Sequence, residues 1–228
     1  RFTHIHCPSN MIADQLRQHG YTARLHVISN GISPRYTYGR APQEDWMRGK
    51  FNVLMVGRYA GEKRQDVLID ACAQCRHRDG IQVILAGKGP LEKKYRRLAE
   101  KLPNPIVMEF YEPDRLLEIL HMADLYVHTS DAEIEAMSCM EAFACGLVPV
   151  IADSPRSATP QFALDGRSLF PAGDAAALAE KIDWWFEHPE EREEMGKRYG
   201  EHAGRYALDR SIEQAEEMFR TAIQEQGK

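Results

Sequence analysis

Six short runs rich in branched and apolar residues recur along this chain, and between them the spacing of apolar positions turns helical. The runs are FNVLMVG (51–57), IQVILAG (81–87), IVMEFY (106–111), DLYVHTS (124–130), VPVIAD (148–153) and SLFPAG (168–173), with helical patterns over 65–78, 90–102, 113–123 and 136–145. Strands this continuously apolar must be covered on both faces, which calls for parallel strands joined by right-handed helical crossovers. The pattern predicts an α/β fold, a Rossmann-like doubly wound parallel sheet, with ligands bound outside the carboxyl ends of the strands. Residues 174–226 then read as helix throughout, interrupted near His188-Pro189 because proline cannot continue a helix.

The first 40 residues behave differently. They offer a short strand (THIHCP), a helix (MIADQLRQHG), a second strand (RLHVIS) and the turn Asn30-Gly31. A strand–helix–strand piece of this size cannot enclose a core of its own, so it either docks on the main domain or belongs to a further lobe. Pro34–Lys50, with Pro, Gly and charged residues, reads as the linker.

A net charge of −5 argues against a nucleic-acid partner, since such modules carry a clustered basic excess. Any phosphate site must be local. Five Cys, an odd number without a small-scaffold pattern, suit reduced thiols in a cytoplasmic protein. Cys72 and Cys75 share a C-x-x-C spacing, but no second pair follows, and the helical pattern DVLIDACAQC favours a buried face over half a metal site. No apolar run approaches the ~20 residues of a membrane span, and no signal peptide opens the chain. Peripheral contact with the inner face of a membrane stays open.

Leu116–Pro155 carries seven acids (Glu118, Asp124, Asp131, Glu133, Glu135, Glu141, Asp153) and no Lys or Arg. Seven residues separate Glu133 from Glu141 across the apolar segment AMSCMEAFACGLVPVI, where a buried carboxylate needs hydrogen-bond donors. A polyhydroxylated ligand would supply them, and a sugar nucleotide fits; acids on a solvated helix face are the plainer alternative. Arg58 and Lys63 follow the first main strand in GRYAGEKRQD, with Lys63 and Arg64 expected in the first helical turn. The macrodipole disfavours cations there, so a bound anion would give them a use, although Glu62 and Asp66 offset the charge. Gly87 and Gly89 in AGKGPLEKKY allow a backbone to approach a planar base or phosphate. The third glycine and downstream acid of a dinucleotide fingerprint are missing, and there is no nucleophile elbow, zinc-protease helix or P-loop. His128 ends the fourth strand, where it would face a ligand crevice, although a lone histidine there is more often a packed or capping residue.

In this order the pieces resemble the nucleotide-sugar-binding half of the family 4 (group 1) glycosyltransferases, whose two Rossmann-like lobes form the GT-B fold. The matching motifs are Gly57-Arg58 to Glu62-Lys63, Gly87 to Pro90, the E-x7-E pair Glu133 and Glu141, and Glu141-Ala142-Phe143-Ala144-Cys145-Gly146 leading to Pro149-Val150. The resemblance implies that residues 1–40 end an N-terminal acceptor lobe and begin the linker, that 41–205 form the donor-binding domain, and that 206–228 are a helix crossing back. It implies Arg58, Lys63 and Glu133 as the catalytic set, the cations gripping a diphosphate and Glu133 orienting the hexose. Gly87, Gly89, Glu112, Glu135, Ala136, Met137 and Glu141 would bind the donor, with Glu141 on the ribose hydroxyls. The implied reaction is retaining transfer of a hexose from a nucleotide diphosphate sugar, with UDP the family default and no cofactor or metal required. The acceptor comes from the other lobe, so turnover by this chain alone is not expected. A noncatalytic nucleotide-sugar-binding subunit and a same-fold epimerase are the alternatives. The chain departs from the family where Glu133-Ile134-Glu135-Ala136 replaces E-G-F-G, where Tyr111-Glu112 replaces a glycine, and where ADSPRSAT replaces a G-G-x-x-E turn. Ser154, Ser157 and Thr159 in that last segment are candidate polar contacts or simple turn residues.

Overall fold

The computed structural model describes residues 2–226. Its first unit is β1 (His4–Cys7), α1 (Asn10–Gln18) and β2 (Arg24–Val27). The main unit runs β3 (Phe51–Val56), α2 (Gln65–Gln74), β4 (Ile81–Ala86), α3 (Glu92–Ala99), β5 (Val107–Glu109), α4 (Pro113–Met122), β6 (Leu125–His128), α5 (Met137–Ala144), β7 (Pro149–Asp153) and β8 (Leu169–Pro171). Three helices follow: α6 (Ala175–Glu187), α7 (Pro189–Ala203) and α8 (Leu208–Gln226).

The strand runs foreseen from the sequence form one sheet in the order β5-β4-β3-β6-β7-β8, and every pair is parallel. From β3 the chain steps outward to β5, then returns past β3 to β6 and continues to β8. That reversal leaves a crevice outside the carboxyl ends of β3 and β6, where open α/β sheets bind ligands. The inner strands β4 and β6 are buried at every residue, which is why their sequences are apolar without alternation. Helices flank the sheet, α2 packing on α6 and α5 on α7. Pro113 and Pro189 stand at the starts of α4 and α7, where the missing N–H has no cost. The five cysteines are buried and unpaired, and the Cys75 thiol donates to Ala179 O at 3.7 Å.

Among the described strands, β1 and β2 pair only with each other. Their exit turn meets the start of α8: the Ile32 N–H donates to Tyr206 O at 2.6 Å and the Leu208 N–H to Ile32 O at 3.0 Å. These bonds break the C-terminal helix a second time, at Gly204–Tyr206, where the sequence pattern alone reads continuous helix. Gly31 has φ +82, and a Cβ there would lie 2.7 Å from Leu208 Cα, so only glycine permits the crossing. At the far end of α8, Glu225 Oε2 is 2.9 Å from His4 Nε2.

Candidate functional site

Two loops build the crevice. After β3, Gly57 and Arg58 lead into a single 3₁₀ turn, Gly61–Lys63. Arg64 then adopts a left-handed backbone (φ 54) before α2 begins at Gln65. Lys63 thus lies outside the first turn of α2, a correction to the helical position read from sequence, because Arg64 breaks the path. After β6, residues 129–136 cross toward α5. The Glu133 N–H donates to Arg156 O at 3.3 Å and the Ala158 N–H to Glu133 O at 3.0 Å, which pins the backbone of Glu133. The loops are also tied to each other, by Thr129 Oγ1–H to Lys63 O at 2.8 Å, the Asp131 N–H to Glu62 O at 2.8 Å, and Arg64 Nη1 to Asp131 Oδ2 at 3.1 Å.

This scaffold brings Lys63 and Glu133 into direct contact. Lys63 Nζ and Glu133 Oε1 form an ion pair whose side chains are only 21% and 11% exposed. His128 Nε2 lies 3.3 Å from the same oxygen. Burial pushes the Glu133 carboxyl up, but the His128 ring and the Lys63 ammonium outweigh it and hold the group at about 2.

Lys63 and Glu133 line a hollow with Met11, Gln15 and Arg156, and a separate cavity of about 470 Å³ is walled by residues 56–58 and 86–90 and by Phe110, Tyr111 and Leu116. Arg58 lies at its wall with an exposed side chain. Lys88 Nζ sits 4.0 Å from the Phe110 ring centroid, within cation–π range. Gly87 and Gly89 line this cavity, but the neighbouring loop also requires them. A Cβ on Gly87 would fall 2.1 Å from Gly57 O, and one on Gly89 2.5 Å from Tyr59 O. Gly87→Ala is therefore expected to cost roughly 1–3 kcal/mol by overpacking, read as a lower urea midpoint. Glu112 is exposed and precedes α4 without capping it; it is not among the residues walling the cavity.

α5 starts against the end of β3, since Ser138 Oγ–H donates to Val56 O at 3.3 Å and receives the Tyr126 hydroxyl at 3.0 Å. Ala136 has φ 60, and no side chain caps α5, so the amides of Met137 and Ser138 are free for solvent or a ligand. Glu141 stands one turn beyond Met137. Burial raises its carboxyl above the ordinary value, against the Tyr36 hydroxyl hydrogen bond and the charge of Arg35. Burial first, then the Glu141 charge, push Tyr36 up to about 12. Tyr36→Phe removes a donor from this carboxylate and is expected to lower stability by about 1 kcal/mol, measured by thermal melting.

The acid-rich segment is not left to a ligand for its donors. Glu118 pairs with Arg115 (2.7 Å) and Asp131 with Arg64 (3.1 Å). Asp124 accepts the Asn52 N–H (2.8 Å), and Glu135 accepts two bonds from Asn30. Ser154 Oγ–H donates to Asp131 O at 2.6 Å and Ser157 to Thr159 Oγ1 at 2.9 Å, so these hydroxyls serve their own turn. Sequence patterns point to neither Tyr36 nor Asn30 as a member of the site, because each meets a carboxylate far along the chain. The end of the fourth strand did put His128 toward a crevice, and its ring lies beside Glu133 of the loop that follows. Among the described residues no cluster of three or more His, Cys, Asp or Glu could hold a metal. Likewise, no described helix is long and apolar enough to cross a membrane.

A cation–carboxylate pair and an apolar slot at the switch point of a parallel sheet place the chain among ligand-binding doubly wound α/β domains. Comparison with known proteins narrows this. The family described as glycosyl transferases group 1 matches residues 41–202, and the chain belongs to that family. A GDP-mannose-dependent alpha-mannosyltransferase of Corynebacterium glutamicum is 33% identical over 158 residues, covering 67% of this chain and 36% of that protein. The putative glycosyltransferase EpsD of Bacillus subtilis is 29% identical, over 69% of this chain and 42% of its own length. The chain thus spans well under half the length of these relatives. The catalytic domain of the cholesterol-alpha-glucosyltransferase from Helicobacter pylori superposes with TM-score 0.67 and 50% identity, covering 69% of this chain and 99% of that one. An Anabaena protein crystallised with UDP and glucose shares the fold at TM-score 0.83 and 22% identity, over 96% of this chain and 63% of its own. The architecture is that of one lobe of GT-B glycosyltransferases, as the motif order implied.

Proposed function

We infer that this chain is the donor-binding part of a retaining glycosyltransferase that moves a hexose from a nucleotide diphosphate sugar, a UDP-hexose, to an acceptor presented by a further lobe. The observation that carries this is the Lys63–Glu133 pair joining the loops after β3 and β6, with the exposed Arg58 on the first loop and the uncapped start of α5 after the second. A base fits the slot of Phe110, Tyr111 and residues 87–89, and the ribose hydroxyls fall to Glu141, one turn into α5. Lys63 and Arg58 face the diphosphate. As the bond from the anomeric carbon to phosphate breaks, negative charge grows on the departing diphosphate, and fixed cations favour that state over the ground state. Glu133, ionised at neutral pH, accepts hydrogen bonds from hexose hydroxyls and orients the anomeric carbon. The reaction needs no metal in this scheme, because cations and amides carry the charge. Relatives named for alpha-linked transfer support retention, since hexoses are commonly carried as α-linked nucleotide diphosphates.

A thermal-shift panel of UDP, GDP and ADP with their hexose derivatives tests the reading. A ligand at about a hundred times its Kd adds about 2.7 kcal/mol to the native state. For a chain of this size that raises the melting temperature by roughly 5 °C or more. UDP-hexoses are expected to give the largest shift. A larger response to GDP-mannose moves the base assignment to guanine, and no response to any of them removes the proposal.

A further inference from the structure

Glu135 is 3% exposed, and one of its carboxylate oxygens accepts two hydrogen bonds from Asn30, from the backbone N–H at 2.9 Å and from the side-chain amide at 2.6 Å. The two residues lie 105 positions apart. Asn30 ends the small β1–β2 unit, and two residues later Ile32 is bonded to Tyr206 and Leu208 on the way into α8. On its other side, Glu135 stands two residues after Glu133 and directly before Ala136, whose φ of 60 is sparsely populated by residues with a side chain. Such a conformation persists where the surroundings hold it from both sides. α5 holds it on one side, and the Asn30 bonds hold it on the other. Burying a carboxylate next to the site is costly unless it is bonded, and an apolar side chain would fill the space more simply. The placement therefore answers a positional need. In this chain the loop reads Glu133-Ile134-Glu135-Ala136, without glycine, and is held at Glu133 by Arg156 and Ala158 and at Glu135 by Asn30.

We propose that Glu135 is a positioning residue: by binding Asn30 it fixes the loop that aims Glu133 at the hexose of a bound donor, and it couples that loop to the crossing of the linker with α8. The proposal rests on the donor reading above. A nucleoside diphosphate has no hexose for the loop to hold, so only the gain in affinity from adding the sugar depends on Glu135.

The test is isothermal titration of the chain with UDP, UDP-glucose, GDP and GDP-mannose, together with hydrogen exchange at the amides of 134–137. Glu135→Ala is expected to cut the sugar's gain in affinity by about tenfold or more, and Asn30→Ala, which keeps the backbone N–H bond, by a smaller factor, while both leave nucleoside diphosphate binding within about threefold. Glu135→Gln keeps an oxygen for both N–H groups and retains the gain. The Glu135→Ala/Asn30→Ala double variant is no worse than Glu135→Ala, because Asn30→Ala removes only the side-chain bond, which Glu135→Ala has already removed together with the backbone one. The 134–137 amides exchange faster in the two alanine variants and not in Glu135→Gln. Equal losses for the diphosphate and its sugar, an undiminished gain in Glu135→Ala, or additive effects overturn the proposal. Failure of the unaltered chain to bind any nucleotide strikes the donor reading instead. In that case, or where no hexose adds affinity to its diphosphate, exchange decides, and equal rates in all variants refute the tether.

Discussion

Lys63→Ala is expected to cut the thermal shift produced by nucleoside diphosphates to about half or less and to lower the stability of the chain by roughly 2–3 kcal/mol. Two separate losses combine. The first is a charge-assisted contact to phosphate, which at about 1.5–3 kcal/mol weakens nucleotide binding on the order of 10–100-fold. The second is internal. Glu133 is 11% exposed at its side chain and depends on Lys63 and His128 for its charge, so removing the ammonium strands a mostly buried carboxylate. Breaking one half of a buried pair costs more than the pair contributes, and the partial exposure here places the loss at the lower end. The double variant Lys63→Ala/Glu133→Gln separates the effects, since it removes the stranded charge without restoring the cation. Stability measured by urea denaturation should recover in part, and nucleotide binding should not. An unchanged urea midpoint in Lys63→Ala would show that the pair is solvated and contributes nothing to the fold.

The second large effect is acid sensitivity concentrated in one carboxyl. Glu133 is held at about 2 against an ordinary 4.5, so its pairing contributes stability at pH above 4.5 that is lost as the pH falls toward 2. The gap between the folded and the ordinary value corresponds to roughly 3 kcal/mol. Glu133→Gln cannot titrate and should remove that part of the acid dependence. Urea midpoints measured at pH 6, 4.5, 3.5 and 2.5 should converge for the two proteins as the pH drops. Glu141 acts in the opposite direction, because burial raises its folded value. Its ionisation opposes folding near neutrality, and that cost fades on acidification. Parallel curves for the unaltered chain and Glu133→Gln would refute the assignment of the lowered carboxyl.

The parallel sheet was legible before any coordinates. Runs such as IQVILAG record burial on both faces of a strand, and the helical spacing between runs records crossovers, so each signal is contained in a few neighbouring residues. The E-x7-E pair and the glycine turn were legible for the same reason. The limits of α4 and α5 were legible to within a residue, but two other breaks were not. Arg64 halts the path into α2 with a left-handed backbone, and Ile32 breaks the C-terminal helix at Gly204–Tyr206 through bonds that no sequence window contains.

The acid-rich stretch draws the boundary most sharply. Its residues alone determine that seven carboxylates lie in a stretch that contains no cation, and hence that each buried one needs a donor. Only the tertiary structure decided what each receives: Lys63, with the His128 ring close by, for Glu133, Arg64 for Asp131, Asn30 for Glu135 and Tyr36 for Glu141. Hydrogen bonds and ion pairs act over about 3 Å of space and are blind to separation along the chain, whereas residue patterns report only what neighbours in sequence must share.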